Sequence, residues 1–454
     1  MKIVIAGAGE VGSHLAKMLR AESNEIVVID SDDSRLSHLS SYADVETVLG
    51  SPTSIKVLRD ASVAHADLFI AVFPSATQEM NIVSALVARK LGAAKVIARI
   101  NDQDYLNAEN RLMFKEMGIE LMFYPEKSAA DEIVECLKNT ATSETMDFAR
   151  GKLQIAVFKI DENSPMLDMK LDEFSKTISA NDAEQFRVIA IGRGDKTIIP
   201  RFDTKFLFGD LVFTIARREG FELLTKYFGK SDVRVSSVMI AGGNAIAGMV
   251  AEKLSHEVES VKIIERDRER CLELSEKLPS NVLVVCGDAR NSDFLLEESI
   301  SSCDAFVSLM GNDEANVLAC VVAKKLGVQR TLAEVENIEY VRLAEEMGVD
   351  SVINKKLITA SRIFKFTLSG RARFVKYMSG TNAEVIEYTV APGSAITKGA
   401  LKDIGFPKGA VIGGVIRGSD SFIAVGDTVI EPYDRVAVFA LPETIRETDR
   451  FFKA

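Results

Sequence analysis

Residues 2–19 of the chain read KIVIAGAGEVGSHLAKML, a short apolar run followed by three closely spaced glycines. The glycines, Gly7, Gly9 and Gly12, have the spacing of a strand that turns tightly into a helix whose N-terminus receives a pyrophosphate. In such a turn the first glycine permits the bend, the second lets phosphate approach the backbone, and the third lets helix and strand pack closely. The stretch predicts a nucleotide-binding strand, loop and helix. The alternative is a tight turn with an N-capping aspartate and no ligand.

The predicted site extends to the ends of the neighbouring strands. Asp30 closes the apolar run EIVVID, where a carboxylate accepts ribose hydroxyls and repels a 2′-phosphate, so NAD(H) or an adenine nucleotide is favoured over NADP(H). Arg99 ends KVIAR and is placed to contact phosphate, or else to form a salt bridge with an acidic neighbour. Phe73 and Pro74 lie where an adenine or ribose would pack, although Phe73 also suits a core. The expected binding residues of this half are Gly7, Ala8, Gly9, Glu10, Val11, Asp30, Phe73, Pro74 and Arg99.

Residues 237–254, SVMIAGGNAIAGMVAEKL, repeat the motif with changes. Asn244 replaces the second glycine and Ala247 the third. Asparagine tolerates a left-handed backbone better than most residues, but its side chain would enter the space that a pyrophosphate needs. The changes leave two alternatives: a second nucleotide site, or a domain kept for assembly alone. The residues of the second site, if it binds, are Gly242, Gly243, Asn244, Ala245, Ile246, Glu265, Met310, Gly311 and Glu334, with Glu265 at the position of Asp30 and Glu334 at that of Arg99.

The self-similarity continues far beyond the glycines, since Asp67 matches Asp304 and Asn81 matches Asn316. Such length indicates that whole domains are duplicated. In each copy apolar strands alternate with amphipathic helices, which predicts two Rossmann-like, doubly wound parallel-sheet domains of the α/β class. Short strands of alternating polarity then predict a small α+β C-terminal module after each. The expected boundaries are 1–126, 143–228, 233–354 and 371–454, with SRIFKFTLSG (361–370) as a connecting helix.

Composition excludes several classes of protein. The chain has 454 residues, is 47% hydrophobic and carries a net charge of −11, which argues against binding nucleic acid. It has no apolar run of about 18 residues, so no membrane span is expected, and the N-terminal strand does not look like a secretory leader. Its five cysteines form no C-x-x-C pair, which fits a reducing cytoplasm, and its four histidines are scattered, which gives no support for a metal site. The small modules hold no histidine or cysteine, so we expect no catalytic activity.

The whole chain resembles the TrkA family of potassium-uptake regulators, built of RCK (KTN) domains. The residues that carry the resemblance are KIVIAGAGEVGSHLA, IVVID and ARKLGAAKVIAR in the first half and KIIERDRERC, VLVVCGDA and DAFVSLMGNDEANVLA in the second. The resemblance implies a homo-oligomeric, tetrameric ring at the inner face of the plasma membrane, beneath a potassium-translocating subunit of TrkH or TrkG type. It also implies that NAD(H), ATP or ADP acts as a regulatory ligand. The remaining alternatives are an NAD-dependent oxidoreductase and a redox sensor acting on another target, such as an antiporter.

Overall fold

A computed structural model describes residues 1–21, 24–73, 78–148, 151–194, 196–230, 234–364, 366, 372–377 and 383–453. The chain divides into two compact units. The first comprises residues 1–128 and 355–368, and the second comprises residues 129–354 and 369–454. Within the described ranges, no helix has both the length and the apolar character that a membrane crossing requires.

The first unit is built on a six-stranded parallel sheet with the order β3-β2-β1-β4-β5-β6. Its strands are apolar on both faces because helices cover both sides. The strands are β1 (Lys2–Ala6), β2 (Glu25–Asp30), β3 (Glu46–Leu49), β4 (Leu68–Ala71), β5 (Val96–Arg99) and β6 (Leu121–Phe123). The helices of this part of the chain are α1 (Glu10–Ala21), α2 (Asp33–Tyr42), α3 (Ile55–Asp60), α4 (Gln78–Leu91), α5 (Ala108–Glu116) and α6 (Pro125–Lys138).

The second unit contains another parallel sheet, with the equivalent order β14-β13-β12-β15-β16-β17. Its strands are β12 (Ser237–Ala241), β13 (Ser260–Glu265), β14 (Val282–Cys286), β15 (Ala305–Ser308), β16 (Arg330–Glu334) and β17 (Ser351–Ile353). The helices that accompany these strands in sequence are α10 (Ala245–Leu254), α11 (Arg268–Lys277), α12 (Ser292–Glu297), α13 (Asp313–Lys325), α14 (Glu339–Glu346) and α15 (Lys355–Phe364). The last of them, α15, belongs to the first unit.

Each parallel sheet is followed in sequence by an antiparallel one, with the orders β10-β9-β11-β8-β7 and β18-β19-β22-β20-β21. The first module comprises β7 (Glu144–Phe148), β8 (Leu153–Lys159), α7 (Leu171–Thr177), α8 (Ala180–Ala183), β9 (Phe186–Arg193), β10 (Lys196–Ile198), β11 (Leu211–Arg217) and α9 (Arg218–Tyr227). The second comprises β18 (Ala372–Tyr377), β19 (Glu384–Thr389), β20 (Ala410–Arg417), β21 (Asp420–Ile423), β22 (Arg435–Ala440) and α16 (Ile445–Phe451). The predicted fold class is therefore confirmed.

A buried aspartate before the same strand anchors both modules. Asp210 accepts hydrogen bonds from Arg193 Nε at 2.8 Å and Nη2 at 2.7 Å, and Asp434 accepts from Arg417 Nε at 3.0 Å and Nη2 at 2.8 Å. Both carboxylates are at most 2% exposed. Two-point contact of a guanidinium with a carboxylate has a fixed geometry, so each pair holds one end of its sheet in register.

The two modules share one hydrophobic core. Phe213 of β11 lies 5.6 Å from Phe439 of β22, measured between ring centroids, and both side chains are fully buried. The backbone of β20 lies close to the first module at Gly414, where an added Cβ would lie 2.8 Å from the Leu153 side chain of β8. The sequence predicts the modules as separate α+β units and gives no sign of this common core.

Burial raises the pKa of Glu345, in α14, to about 7, with Glu144 and Glu346 adding to the increase and Lys159 opposing it. Because the folded state holds this proton more tightly than the unfolded chain, the stabilisation is complete below the ordinary pKa of 4.5 and is lost as the pH rises through 7. We expect Glu345→Gln to increase the free energy of unfolding at about pH 8 by on the order of 1–2 kcal/mol and to change it little at about pH 4.5.

Urea denaturation at the two pH values measures this difference, with Glu346→Gln, at an exposed neighbour, as the matched control. An equal effect of Glu345→Gln at both pH values would show that the carboxyl does not titrate in this range.

Candidate functional site

Each of the three glycines of the first loop occupies its position for a different steric reason. Gly7 has a φ of +116°, in the left-handed region, and an added Cβ there would lie 3.1 Å from the backbone nitrogen of Phe73. A Cβ on Gly12 would lie only 1.8 Å from the carbonyl oxygen of Gly7. No described atom lies within 4 Å of the Cβ position of Gly9. The space at Gly9 is therefore open, as the approach of a phosphate requires.

Asp30 joins the loop to the end of β2. Its Oδ2 accepts a hydrogen bond from the Ala8 N–H at 2.6 Å and its Oδ1 accepts one from the Asp32 N–H at 2.9 Å, with 1% of the residue exposed. Helix α1 begins at Glu10, so the first-turn N–H groups, including that of Val11, have no intrahelical acceptor and carry the positive end of the helix dipole. Together with the open space at Gly9, these donors fit the pyrophosphate of a nucleotide.

The structure places the other predicted residues of the first half with different roles. Arg99 Nη2 lies 2.8 Å from Glu126 Oε1, so the salt bridge weighed as an alternative is formed, and Arg99 Nε is buried without a hydrogen-bond partner among the described residues. Phe73 is 5% exposed and belongs to the core. Pro74 lies outside the described residues. Ligand contact by these three residues stays a prediction.

Asn81 and Asn316 match in the repeat, but their function cannot be read from the sequence. Asn81 Oδ1 accepts from the Phe73 N–H at 2.9 Å and its Nδ2 donates to the Phe73 carbonyl at 3.1 Å. Asn316 makes the same pair of bonds with Met310, both at 2.7 Å. A buried asparagine thus fixes the segment after the fourth strand of each sheet, and that segment borders the crevice where such sheets bind ligands.

The second half has an open cleft of about 360 Å³ at the carboxyl ends of its strands. Its lining includes the predicted Gly242, Gly243, Asn244, Glu265, Met310 and Gly311. Glu265 repeats the contacts of Asp30, since Oε2 accepts from the Gly243 N–H at 2.6 Å and Oε1 from the Asp267 N–H at 2.7 Å. Ala245 and Ile246 form the first turn of α10. Glu334 is buried at the end of β16, with 4% of the residue exposed.

Asn244 does not use the left-handed backbone that asparagine tolerates, since its φ is −70° and the left-handed residue of this loop is Gly242, at +97°. Its Oδ1 accepts a hydrogen bond from the Ala247 N–H at 2.9 Å, and its Nδ2 donates to the Leu309 carbonyl at 2.8 Å. The side chain therefore caps α10 and uses one of the N–H groups that a phosphate would otherwise contact. The second loop therefore offers fewer N–H groups to a pyrophosphate than the first loop does.

Two arginines that the sequence analysis missed line the second cleft, Arg266 and Arg290. Arg290 donates from Nε to Asp288 Oδ1 at 2.9 Å and from Nη2 to Oδ2 at 2.6 Å. These bonds lower the pKa of Asp288 to about 2. Arg266 directly follows the last residue of β13 and Arg290 lies in the loop after β14, so a search that included the residues just beyond each strand would have found them.

Comparison with known proteins places the chain in a family. The TrkA-N domain model matches residues 3–125 and 238–355, and the TrkA-C domain model matches residues 155–229 and 385–453. The Trk system potassium uptake protein TrkA homolog of Archaeoglobus fulgidus is 37% identical over 456 residues, 100% of both chains. The Trk system potassium uptake protein TrkA of Halomonas elongata is 33% identical over 100% of this chain and 99% of its own.

Among solved structures, the GsuK channel bound to NAD has the same fold, with a TM-score of 0.61 and 18% identity over 99% of this chain and 78% of the channel chain. The matched relatives are potassium-uptake proteins and not enzymes, in agreement with the expected lack of catalysis. The two pairs of domains, the repeated loops and these full-length matches together show that the chain belongs to the TrkA family.

Proposed function

We propose that the protein is the nucleotide-binding regulatory subunit of a Trk-type potassium-uptake system. The observation that carries the proposal is the first loop, where the first-turn N–H groups of α1 lie beside the carboxylate of Asp30 and no described atom fills the space at Gly9. In a regulatory subunit the ligand acts by its different affinity for two conformations, and no bond is broken.

The ligand of the first site is NAD(H), ATP or ADP. The first loop suits a pyrophosphate, and the GsuK channel, which has the same fold, binds NAD. Because Asp30 presents a carboxylate at the end of β2, a 2′-phosphate is disfavoured. The site comprises Gly7 through Val11 with Asp30, extended by Arg99 and the segment at Phe73 and Pro74.

The second cleft binds a nucleotide more weakly than the first site, or its domain serves assembly without a nucleotide, because the Asn244 side chain occupies part of the loop. The proposed domains are residues 1–126, 143–228, 233–354 and 371–454. The partner is a membrane potassium-translocating subunit of TrkH or TrkG type, contacted by a tetrameric ring of this chain at the inner face of the plasma membrane. These assignments follow from family membership and are proposals for this chain.

A thermal-shift titration with NADH, NAD, ATP, ADP and NADPH tests the ligand. A nucleotide at about 100 times its dissociation constant adds roughly 2.7 kcal/mol to the free energy of unfolding. We expect NAD(H) or an adenine nucleotide to raise the melting temperature of the wild type, and Gly9→Asp to abolish the increase. The Cβ of the variant meets no described atom within 4 Å, and its carboxylate enters the space where the phosphate binds.

Asn244→Asp is the matched change in the second loop, and each variant is compared with its own melting temperature without nucleotide. We expect Asn244→Asp to keep most of the increase. If no nucleotide shifts the wild type, the first loop is architectural and ligand regulation is excluded. Growth of a deletion strain at low external potassium, complemented by wild type or by Gly9→Asp, tests the link to transport.

A further inference from the structure

Helix α15 packs against the nucleotide-binding helix α1 within the first unit. In sequence, α15 follows the last strand of the second parallel sheet, so a segment more than 340 residues from the first loop contacts the helix that this loop begins. Phe366, just beyond α15, accepts a hydrogen bond from Lys95 Nζ at 3.5 Å, which adds a second attachment within the same unit.

Lys356, in the first turn of α15, lies at the N-terminal end of α1, where the phosphate of the proposed ligand would bind. Its Nζ is 3.1 Å from Oε2 of Glu10, the first residue of that helix. The Lys356 side chain is 17% exposed, whereas that of Glu10 is 64% exposed. The ammonium group is thus held close to the protein surface, while its carboxylate partner is free to turn into solvent.

The histidine on this face of α1 does not carry a positive charge that would compete with Lys356 for an anion. His14 lies one turn after Glu10, and its Nε2 is buried without a hydrogen-bond partner among the described residues. Burial, then Lys356, then Lys17 lower the pKa of His14 to about 4, so the imidazole is neutral at pH 7. Lys356 and the exposed Lys17 are the cations that act on His14, and Lys356 is also the partner of Glu10.

The charge at this position is reversed between the repeats. Tyr124-Pro125-Glu126 at the start of α6 corresponds to Asn354-Lys355-Lys356 at the start of α15. Glu126 is engaged with Arg99, whereas Lys356 brings a positive charge to the first loop. A Glu10 carboxylate left alone would repel a pyrophosphate bound at the N-terminus of α1, and the Lys356 ammonium offsets that repulsion.

We propose that Lys356 is a phosphate-binding residue of the first nucleotide site, and that the ligand's phosphate competes with Glu10 for its ammonium group. This inference rests on the proposed nucleotide binding. It gives the ligand of the first domain direct contact with a helix that continues from the second domain. Removing Glu10's charge frees Lys356 and strengthens binding, whereas removing the charge of Lys356 leaves Glu10 unopposed and weakens it.

Calorimetric titration of the full chain with ADP and NADH tests the proposal in Lys356→Gln, Glu10→Gln and the double variant. We expect Lys356→Gln to weaken binding about tenfold and Glu10→Gln to strengthen it about threefold, since a charge-assisted contact is lost or gained. Glu10→Gln is also combined with Lys356→Arg. The increase in nucleotide affinity from Glu10→Gln should disappear in that background only if the position of the ammonium group matters.

Lys17→Gln is the control, because it removes one positive charge from the same surface without touching Glu10. Equal affinities of Lys356→Gln and Lys17→Gln, within about twofold, would overturn the role of Lys356 while Gly9→Asp still abolished binding. A wild type that binds neither nucleotide would instead overturn the proposed function and this inference together. Unliganded melting temperatures exclude unfolding, and Lys356→Met, which keeps the length of the side chain and loses its charge, replaces Lys356→Gln in the same comparison if Lys356→Gln is unstable.

Discussion

Gly12→Ala should lower the free energy of unfolding of the first unit by about 3 kcal/mol or more and abolish nucleotide binding there. The added Cβ would lie 1.8 Å from the carbonyl oxygen and 2.9 Å from the carbonyl carbon of Gly7. Both are backbone atoms in the left-handed turn, so no side-chain rotation relieves the overlap, and α1 must move away from β1. Overpacking in a well-packed interior costs about 1–3 kcal/mol and sometimes more.

Calorimetry of the full chain measures the effect as a fall of roughly 6–12 °C in the transition of the first unit, from about 2–4 °C per kcal/mol. Gly9→Ala is the matched control, because its Cβ meets no described atom within 4 Å, and its melting temperature should stay close to that of the wild type. Similar melting temperatures for the two variants would show that α1 and β1 are not held as closely as the structure places them.

Asn316→Ala should destabilise the second unit by on the order of 3–5 kcal/mol, since it leaves four polar groups without their partner, two of them in fully buried hydrogen bonds. Asn316 Oδ1 accepts from Ser308 Oγ at 2.9 Å and from the Met310 N–H at 2.7 Å. Its Nδ2 donates to the carbonyls of Met310 at 2.7 Å and Glu334 at 2.8 Å. The residue is 1% exposed, so water does not replace these bonds.

The measurement is urea denaturation of the full chain, with Asn312→Ala as control. Asn312 is exposed and caps α13 by accepting a hydrogen bond from the Ala315 N–H at 2.8 Å, so its loss should cost only about 1 kcal/mol. Equal losses for the two variants would mean that the buried network around Asn316 contributes no more than an ordinary helix cap.

Much of the fold could be predicted because its signals are local. The apolar runs KIVIAG, EIVVID and KVIARI correspond to β1, β2 and β5, and the glycine spacing identifies the turn into α1. Alternation of strands and helices fixes a parallel sheet, and the repeat then predicts the second one. Hydrophobic periodicity and glycine positions carry this information within about 20 residues.

The contacts of the candidate site depend on residues that are distant in sequence and could not be predicted in the same way. The role of Asn244 depends in part on the Leu309 carbonyl, 65 residues away, and no local pattern indicates that contact. Arg99 was placed correctly at the end of its strand, but its partner Glu126 could not be chosen among many acidic residues. The position of α15 beside α1 has no local signal, because any amphipathic helix could cover either sheet.

The common core of the two small modules affects how the melting temperature depends on protein concentration. If each repeat were a separate chain, the apolar faces that carry Phe213 and Phe439 would meet only by bimolecular association, and the melting temperature would rise with protein concentration. Joining the repeats in one chain makes that encounter intramolecular, at a high effective concentration. The melting temperature of the intact protein should therefore depend less on protein concentration than that of a chain carrying one repeat, which would need a second copy to cover the same face.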